Sequence, residues 1–327
     1  VSTAATPAEH APASRLARLP VTLFASVMGL AGLALAWQRA AATIAAPGAV
    51  GTAILLAASV LYLMLLIVYA AKIARERAAV VAEWRHPVRS SLFATISIGL
   101  ILLATAWLPA LPALAHALWL AGAALHLLIM VLIVGTWIDR TDLEWAHANP
   151  AWFIPAVGNV LVPLAGVRLG HAELSWFFFA IGMGFWLVLL PIVFARLLFA
   201  PPLPERMRPM LFVLIPPPAI GFLSYLALGQ PLDAIARVLY GLAAFFTLFL
   251  LVRAMWFVRL PFYLSWWAAS FPLAAITAAT LALGERTGLG AYRGLGTALL
   301  VLATLVIAWL VVRTLVALVR DEPAVFE

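Results

Sequence analysis

Few side chains in this 327-residue sequence are placed to do chemistry, and those few are far apart. It has no cysteine, which excludes disulfides, thiolate metal sites and cysteine nucleophiles. The six histidines are scattered, and no carboxylate pair has the spacing that acid–base catalysis needs. No metal, no cofactor and no catalytic residue is expected, so the chain does not read as an enzyme. The remaining candidates suit a passage better than a reaction. His126 is the one titratable group deep inside an apolar run, where such groups are functional by default. Its alternative is structural, a neutral ring bonded to a backbone carbonyl. Asn159, beside Gly158, could line a path or bond a neighbouring helix. Arg85 and Arg89 flank His86-Pro87 and could concentrate anions at a mouth, or could reflect only the charge bias of one face. Phe271 precedes Pro272 in a run that continues Ala-Ala-Ile-Thr-Ala-Ala-Thr. A large ring at a bend among small residues could fill a narrow lumen, or could pack on lipid or a neighbour.

The elements that must position these residues follow from composition. Hydrophobic residues make up 66% of the chain and charged residues 10%, with a mean hydropathy of +1.10. A soluble domain is about a quarter charged, so lipid is the expected solvent. Nine stretches are free of Asp, Glu, Lys and Arg, and the longest, 90–138, is interrupted by Pro109 and Pro112. At about 20 residues per span, they give ten helices near 19–38, 49–72, 88–108, 111–138, 150–168, 172–197, 208–228, 231–256, 262–283 and 292–319. The first apolar run is too long for a signal-peptide core and is expected to remain as a span. Loops are short. The membrane domain is predicted over 19–320, between a flexible cytoplasmic tail at 1–18 and a short one at 321–327.

With ten spans both ends share a side, and that side collects fifteen Lys and Arg against five on the other. The positive-inside rule then puts both termini in the cytoplasm. Most of the net charge of +7 is thus topological, and nucleic acid is not an expected partner. Tryptophans at the predicted helix ends, Trp37, Trp107, Trp119 and Trp176 on one side and Trp137, Trp256, Trp266 and Trp267 on the other, form an aromatic belt.

The odd helices share features that the even ones lack. Each opens near a proline, at Pro20, Pro87, Pro150, Pro209 and Pro261, spaced by 67, 63, 59 and 52 residues. Proline suits the first helical turn because it has no N–H to leave unpaired. The odd helices also carry internal breakers, among them Gly29, Gly99, Pro155, Pro163, Pro217 and Pro272. Groups freed by such breaks need protein or a water-filled cavity to accept them. The predicted fold class is therefore an all-α integral membrane protein. Its ten transmembrane helices form five helical hairpins, with odd helices lining a central pore and even helices outside.

Several segments resemble the tellurite-resistance TehA and C4-dicarboxylate transporter family, which includes the plant slow anion channels. They are Leu19-Pro-Val-Thr-Leu-Phe24 with Gly29-Leu-Ala-Gly-Leu-Ala-Leu-Ala-Trp37, His86-Pro-Val-Arg89, Asn149-Pro-Ala-Trp-Phe-Ile-Pro-Ala-Val157 and Ser265-Trp-Trp-Ala-Ala-Ser-Phe-Pro-Leu273. The resemblance implies an anion channel, a homotrimer with one pore per subunit, and a pore gate at Phe271. It also implies a bacterial inner-membrane location. A carrier for C4-dicarboxylates or for oxyanions such as tellurite or sulfite is the same-family alternative. Phe24, Phe93, Phe153 and Phe212, in the early turns of the other odd helices, are weaker lumen candidates. Some relatives carry prolines where this chain has Val27 and Ser97, so its bends there must come from Gly29 and Gly99.

Overall fold

The structure, a computed structural model, describes residues 14–320 and 322. Of the tails predicted over 1–18 and 321–327, residues 1–13, 321 and 323–327 lie outside the described residues, and Arg15–Arg18 forms a short helix. Among the described residues there is no β-strand, and nine helices are long and apolar enough to cross a membrane. They are Val21–Ile44, Gly48–Arg75, Arg89–Trp107, Pro112–Asp139, Ala172–Phe199, Glu205–Ala227, Ala234–Val252, Leu264–Thr287 and Gly290–Val319. Between the fourth and fifth of these lies a shorter apolar stretch, Pro150–Gly166. Counted with it, the apolar segments are numbered one to ten below. Three short α-helices lie outside them, Arg15–Arg18, Arg77–Arg85 and Ala254–Val258. The second occupies what the sequence suggested was a plain loop.

Every odd segment starts in the same unusual way. A 3-10 stretch precedes the α-helix at Val21–Leu23, Arg89–Phe93, Pro150–Trp152, Glu205–Leu214 and Leu264–Ala269. Prolines supply part of the cause. Pro216, Pro217 and Pro218 have no N–H for the carbonyls of Phe212, Val213 and Leu214, their α-helical partners. The chain there takes the tighter bond instead, Ile215 N–H to Phe212 O at 3.1 Å. Segment five alternates 3-10 and α turns throughout, and is shorter than the 150–168 span expected. A 3-10 turn rises about 2.0 Å per residue against about 1.5 Å in an α-helix, so fewer residues cover the same depth.

Burial divides the segments by parity. In the best apolar window of segments one, three, seven and nine, 67–89% of residues are buried, against 22–39% in the even segments. Each odd segment packs on the even segment that follows it. The odd segments also touch one another in the cyclic order one, three, five, seven, nine and back to one. Residues of the even segments such as Ile67, Val131, Leu187 and Leu305 turn outward, forming the apolar surface that lipid solvates.

The tryptophans depart from a simple belt. Trp119 and Trp267 are fully buried and bond inside the protein, Trp119 to Val162 O at 2.9 Å and Trp267 to Thr314 Oγ1 at 2.9 Å. They tie an odd segment to an even one rather than anchoring the chain to headgroups.

The start of segment one is held by a buried ion pair. Lys72 Nζ lies 3.1 Å from Glu83 Oε2, with both side chains buried. Lys72 also donates to Leu19 O at 2.6 Å, while Glu83 accepts from the Val21 N–H and from Tyr69 Oη. Two charges out of water are tolerable only when such further bonds complete the pairing. Their effect here is to fix the backbone on both sides of Pro20.

Candidate functional site

Three cavities lie between the odd segments, and their lining residues overlap in sequence along the fold. The first, about 130 Å³, is at the face where the odd segments begin and is lined by Pro20, His86, Arg89, Arg206 and Tyr263 among others. The middle one is only about 50 Å³ and draws on all five odd segments. The third, about 490 Å³, is at the opposite face. Thr22, Leu92, Met210, Leu264 and Ser265 line both the first and the middle cavity. Ile220 and Phe271 line both the middle and the third. The arrangement is wide, narrow, wide.

Chemistry changes along the same axis. The middle cavity is apolar apart from Thr22, Thr95 and Ser265, and none of its lining residues is ionisable. Both ends are basic. At the opposite face Arg39, Arg168 and Arg286 line the cavity, with Glu285 as the one acidic group. Arg39 Nη1 meets Glu285 Oε2 at 2.9 Å, leaving a net positive vestibule. At the near face Arg89 and Arg206 face His86. Partial burial and the charges of Arg89, Arg206 and Arg140 hold His86 below its ordinary pKa, with His147 adding to the shift. Its Nδ1 accepts the N–H groups of Val88 and Arg89 at 3.1 and 3.2 Å, which starts segment three.

The residues singled out from sequence divide accordingly. Phe153, Pro217, Phe271 and Pro272 line the middle cavity. Phe24, Phe93 and Phe212 do not line any of the three. Phe24 packs edge-on against Tyr62 and Tyr69, Phe93 against Tyr69 and Trp84, and Phe212 against Phe257. The 3-10 start does not decide this, since Phe24 and Phe153 each follow a three-residue one and only Phe153 lines the cavity. Gly29 and Gly99 are points of close approach: a side chain at Gly29 would overlap Ser270, and one at Gly99 would overlap the Tyr62 ring.

Asn159 bonds within its own segment, its Nδ2 donating to Pro155 O and Ala156 O at 3.1 and 3.0 Å. His126 completes that group. Its Nε2 donates to Pro155 O at 3.0 Å, so Nδ1 is the acceptor facing Ser97 Oγ at 2.8 Å. The ring is fully buried behind Gly158, and it satisfies a carbonyl released where segment five leaves regular α-helix. Arg85 is exposed at the end of Arg77–Arg85 and offers its carbonyl to Arg140 Nη1 at 2.8 Å. Arg206, rather than Arg85, joins Arg89 at the near cavity.

In the sequence Arg39, Arg168 and Arg286 stand out only as charges on the less basic side. A signal was present: these three lie at the far ends of odd segments, while Arg237 and Arg293 belong to even ones.

Tapering cavities between buried, broken helices, apolar at the waist and basic at the ends, define a membrane protein of the channel or transporter class. Comparison with known proteins gives the family. Residues 18–315 match the SLAC1 family, described as voltage-dependent anion channel, and the chain belongs to it. It is 28% identical over 308 residues to the S-type anion channel SLAH3 of Arabidopsis thaliana, covering 92% of this chain and 48% of that protein. To the guard cell S-type anion channel SLAC1 of the same plant it is 24% identical over 310 residues, 92% of this chain and 56% of the relative. The chain therefore spans about half the length of these plant relatives. Its match to the tellurite resistance protein TehA homolog of Haemophilus influenzae is 27% identical over 307 residues, 93% of this chain and 92% of that protein.

Proposed function

We propose that the chain is an anion channel in which the five odd segments form one pore per subunit and Phe271 gates it. The observation that carries this reading is the shared lining. Phe271 borders both the 50 Å³ waist and the 490 Å³ vestibule, where its ring can close one from the other. An apolar constriction passes ions only when it is wide enough to stay wet. Arginines at both ends raise the local anion concentration and repel cations. The waist carries no ionisable side chain on which a proton-coupled cycle could turn, which favours passive flow. Anions that shed water readily cross such a waist best, because burying a strongly hydrated charge costs most.

Five hairpins around the pore, a homotrimer with lipid-facing even helices, a bacterial inner-membrane location and cytoplasmic termini belong to the same proposal. The resemblance to family members and the basic bias of the near face support them.

The test is reconstitution in planar bilayers with an anion-substitution series. Reversal potentials should follow the anion gradient, and permeability should rise as hydration weakens. The rival reading is a carrier for C4-dicarboxylates or for oxyanions such as tellurite or sulfite. The near-full-length similarity to a tellurite resistance protein and the three vestibule arginines favour it. Saturable uptake that collapses with the proton gradient, without measurable single-channel current, would decide for the carrier.

A further inference from the structure

Arg196 lies one turn from the end of segment six, on its inward face with Trp186, Leu189 and Val193. It is 4% exposed, and its Nε and Nη1 are buried without a hydrogen-bond partner. The other charged residues buried in the described chain, Lys72 and Glu83, neutralise one another at 3.1 Å. A guanidinium cannot escape burial by losing its proton, and an unpaired buried charge is strongly unfavourable. It calls for an anion from outside the chain. Its planar fork matches the oxygens of a phosphate. The position narrows the source, because the last turn of a membrane-crossing helix lies at headgroup depth. Phe199, three residues on and so its neighbour on the helix surface, is 83% exposed, an apolar surface against which an acyl chain can lie.

We infer that Arg196 binds a phosphate oxyanion at the near face, outside the central cavities. A lipid headgroup and free phosphate share this chemistry, and the experiment separates them. The full chain is purified in detergent, stripped of lipid, and probed with dioleoyl phosphatidylglycerol, with dioleoylglycerol (the same chains without phosphate), or with inorganic phosphate. Thermal unfolding and native mass spectrometry are the readouts. Phosphatidylglycerol should raise the wild-type unfolding midpoint and dioleoylglycerol should not. Arg196→Gln should lose that rise and retain one lipid fewer per chain, while Arg259→Gln, an exposed control, matches the wild type. A rise with phosphatidylglycerol alone assigns the site to a headgroup, and an equal rise with inorganic phosphate assigns it to the free anion. Where Arg196→Gln does not fold, Arg196→Lys, which keeps the charge and loses the fork, should weaken lipid retention several-fold. Equal response of wild type and both variants to every phosphate probe overturns the inference, as does an equal rise with dioleoylglycerol.

Discussion

A side-chain carbon placed on Gly32 would lie 2.8 Å from Cδ2 of Phe271. The ring of segment nine thus rests against bare backbone of segment one, and Phe271 keeps its place because Gly32 has no side chain. Gly32→Ala should cost about 1–3 kcal/mol by overpacking in the wild type, and much less when Phe271 is also alanine. A double-mutant cycle of thermal unfolding measures the coupling; simple additivity would mean the ring is not held there.

The clamp at Pro20 gives a second outcome. Removing either partner of the buried Lys72–Glu83 pair strands the other, at a cost of about 3–5 kcal/mol. Lys72→Met and Glu83→Gln should each lower the unfolding midpoint sharply. Tyr69→Phe, which loses one bond to Glu83, should cost about 0.5–1.5 kcal/mol. Because the pair is buried, the loss should vary little with salt.

His86 predicts a pH dependence. Its pKa is lowered by partial burial and by Arg89, Arg206 and Arg140, so the unfolded chain takes up the proton first. The stability it contributes is complete above the ordinary histidine value, about 6.5, and declines as pH falls through that value toward the lowered one. Protonation would also break both bonds that Nδ1 accepts. His86→Asn keeps an acceptor without the titration, and its unfolding midpoint should fall less on acidification than that of the wild type.

The arginines should act as a field. Neutralising Arg168 or Arg286 should reduce anion current more at low salt than at high salt, since screening removes their advantage. Arg206→Gln should do the same from the near face. Arg85→Gln should leave the current unchanged, because Arg85 borders none of the cavities.

Much of this was readable in the residues. Apolar run lengths, with the break at Pro109 and Pro112, placed all ten apolar segments, nine of them long enough to cross a membrane, and prolines at odd starts marked the buried set. Segment five was placed correctly and its form missed, because Pro155, Gly158 and Pro163 announce a break without fixing which turns become 3-10. Which of Phe24, Phe93, Phe153 and Phe212 reaches the cavity depends on how the odd segments pack against their neighbours. The link from His126 to Pro155 joins positions 29 residues apart, and Lys72 finds Leu19 O across 53. No local pattern encodes either meeting. The vestibule arginines were visible all along, but their role depends on which helix ends converge, and that is a property of the fold.

The gate is tested most directly by single-channel recording of wild type and Phe271→Ala in the same bilayer. Removing the ring opens the apolar waist to the vestibule, so conductance or open probability should rise severalfold with anion selectivity retained. Unchanged current, from a variant that folds and reconstitutes as the wild type does, would contradict a phenylalanine gate.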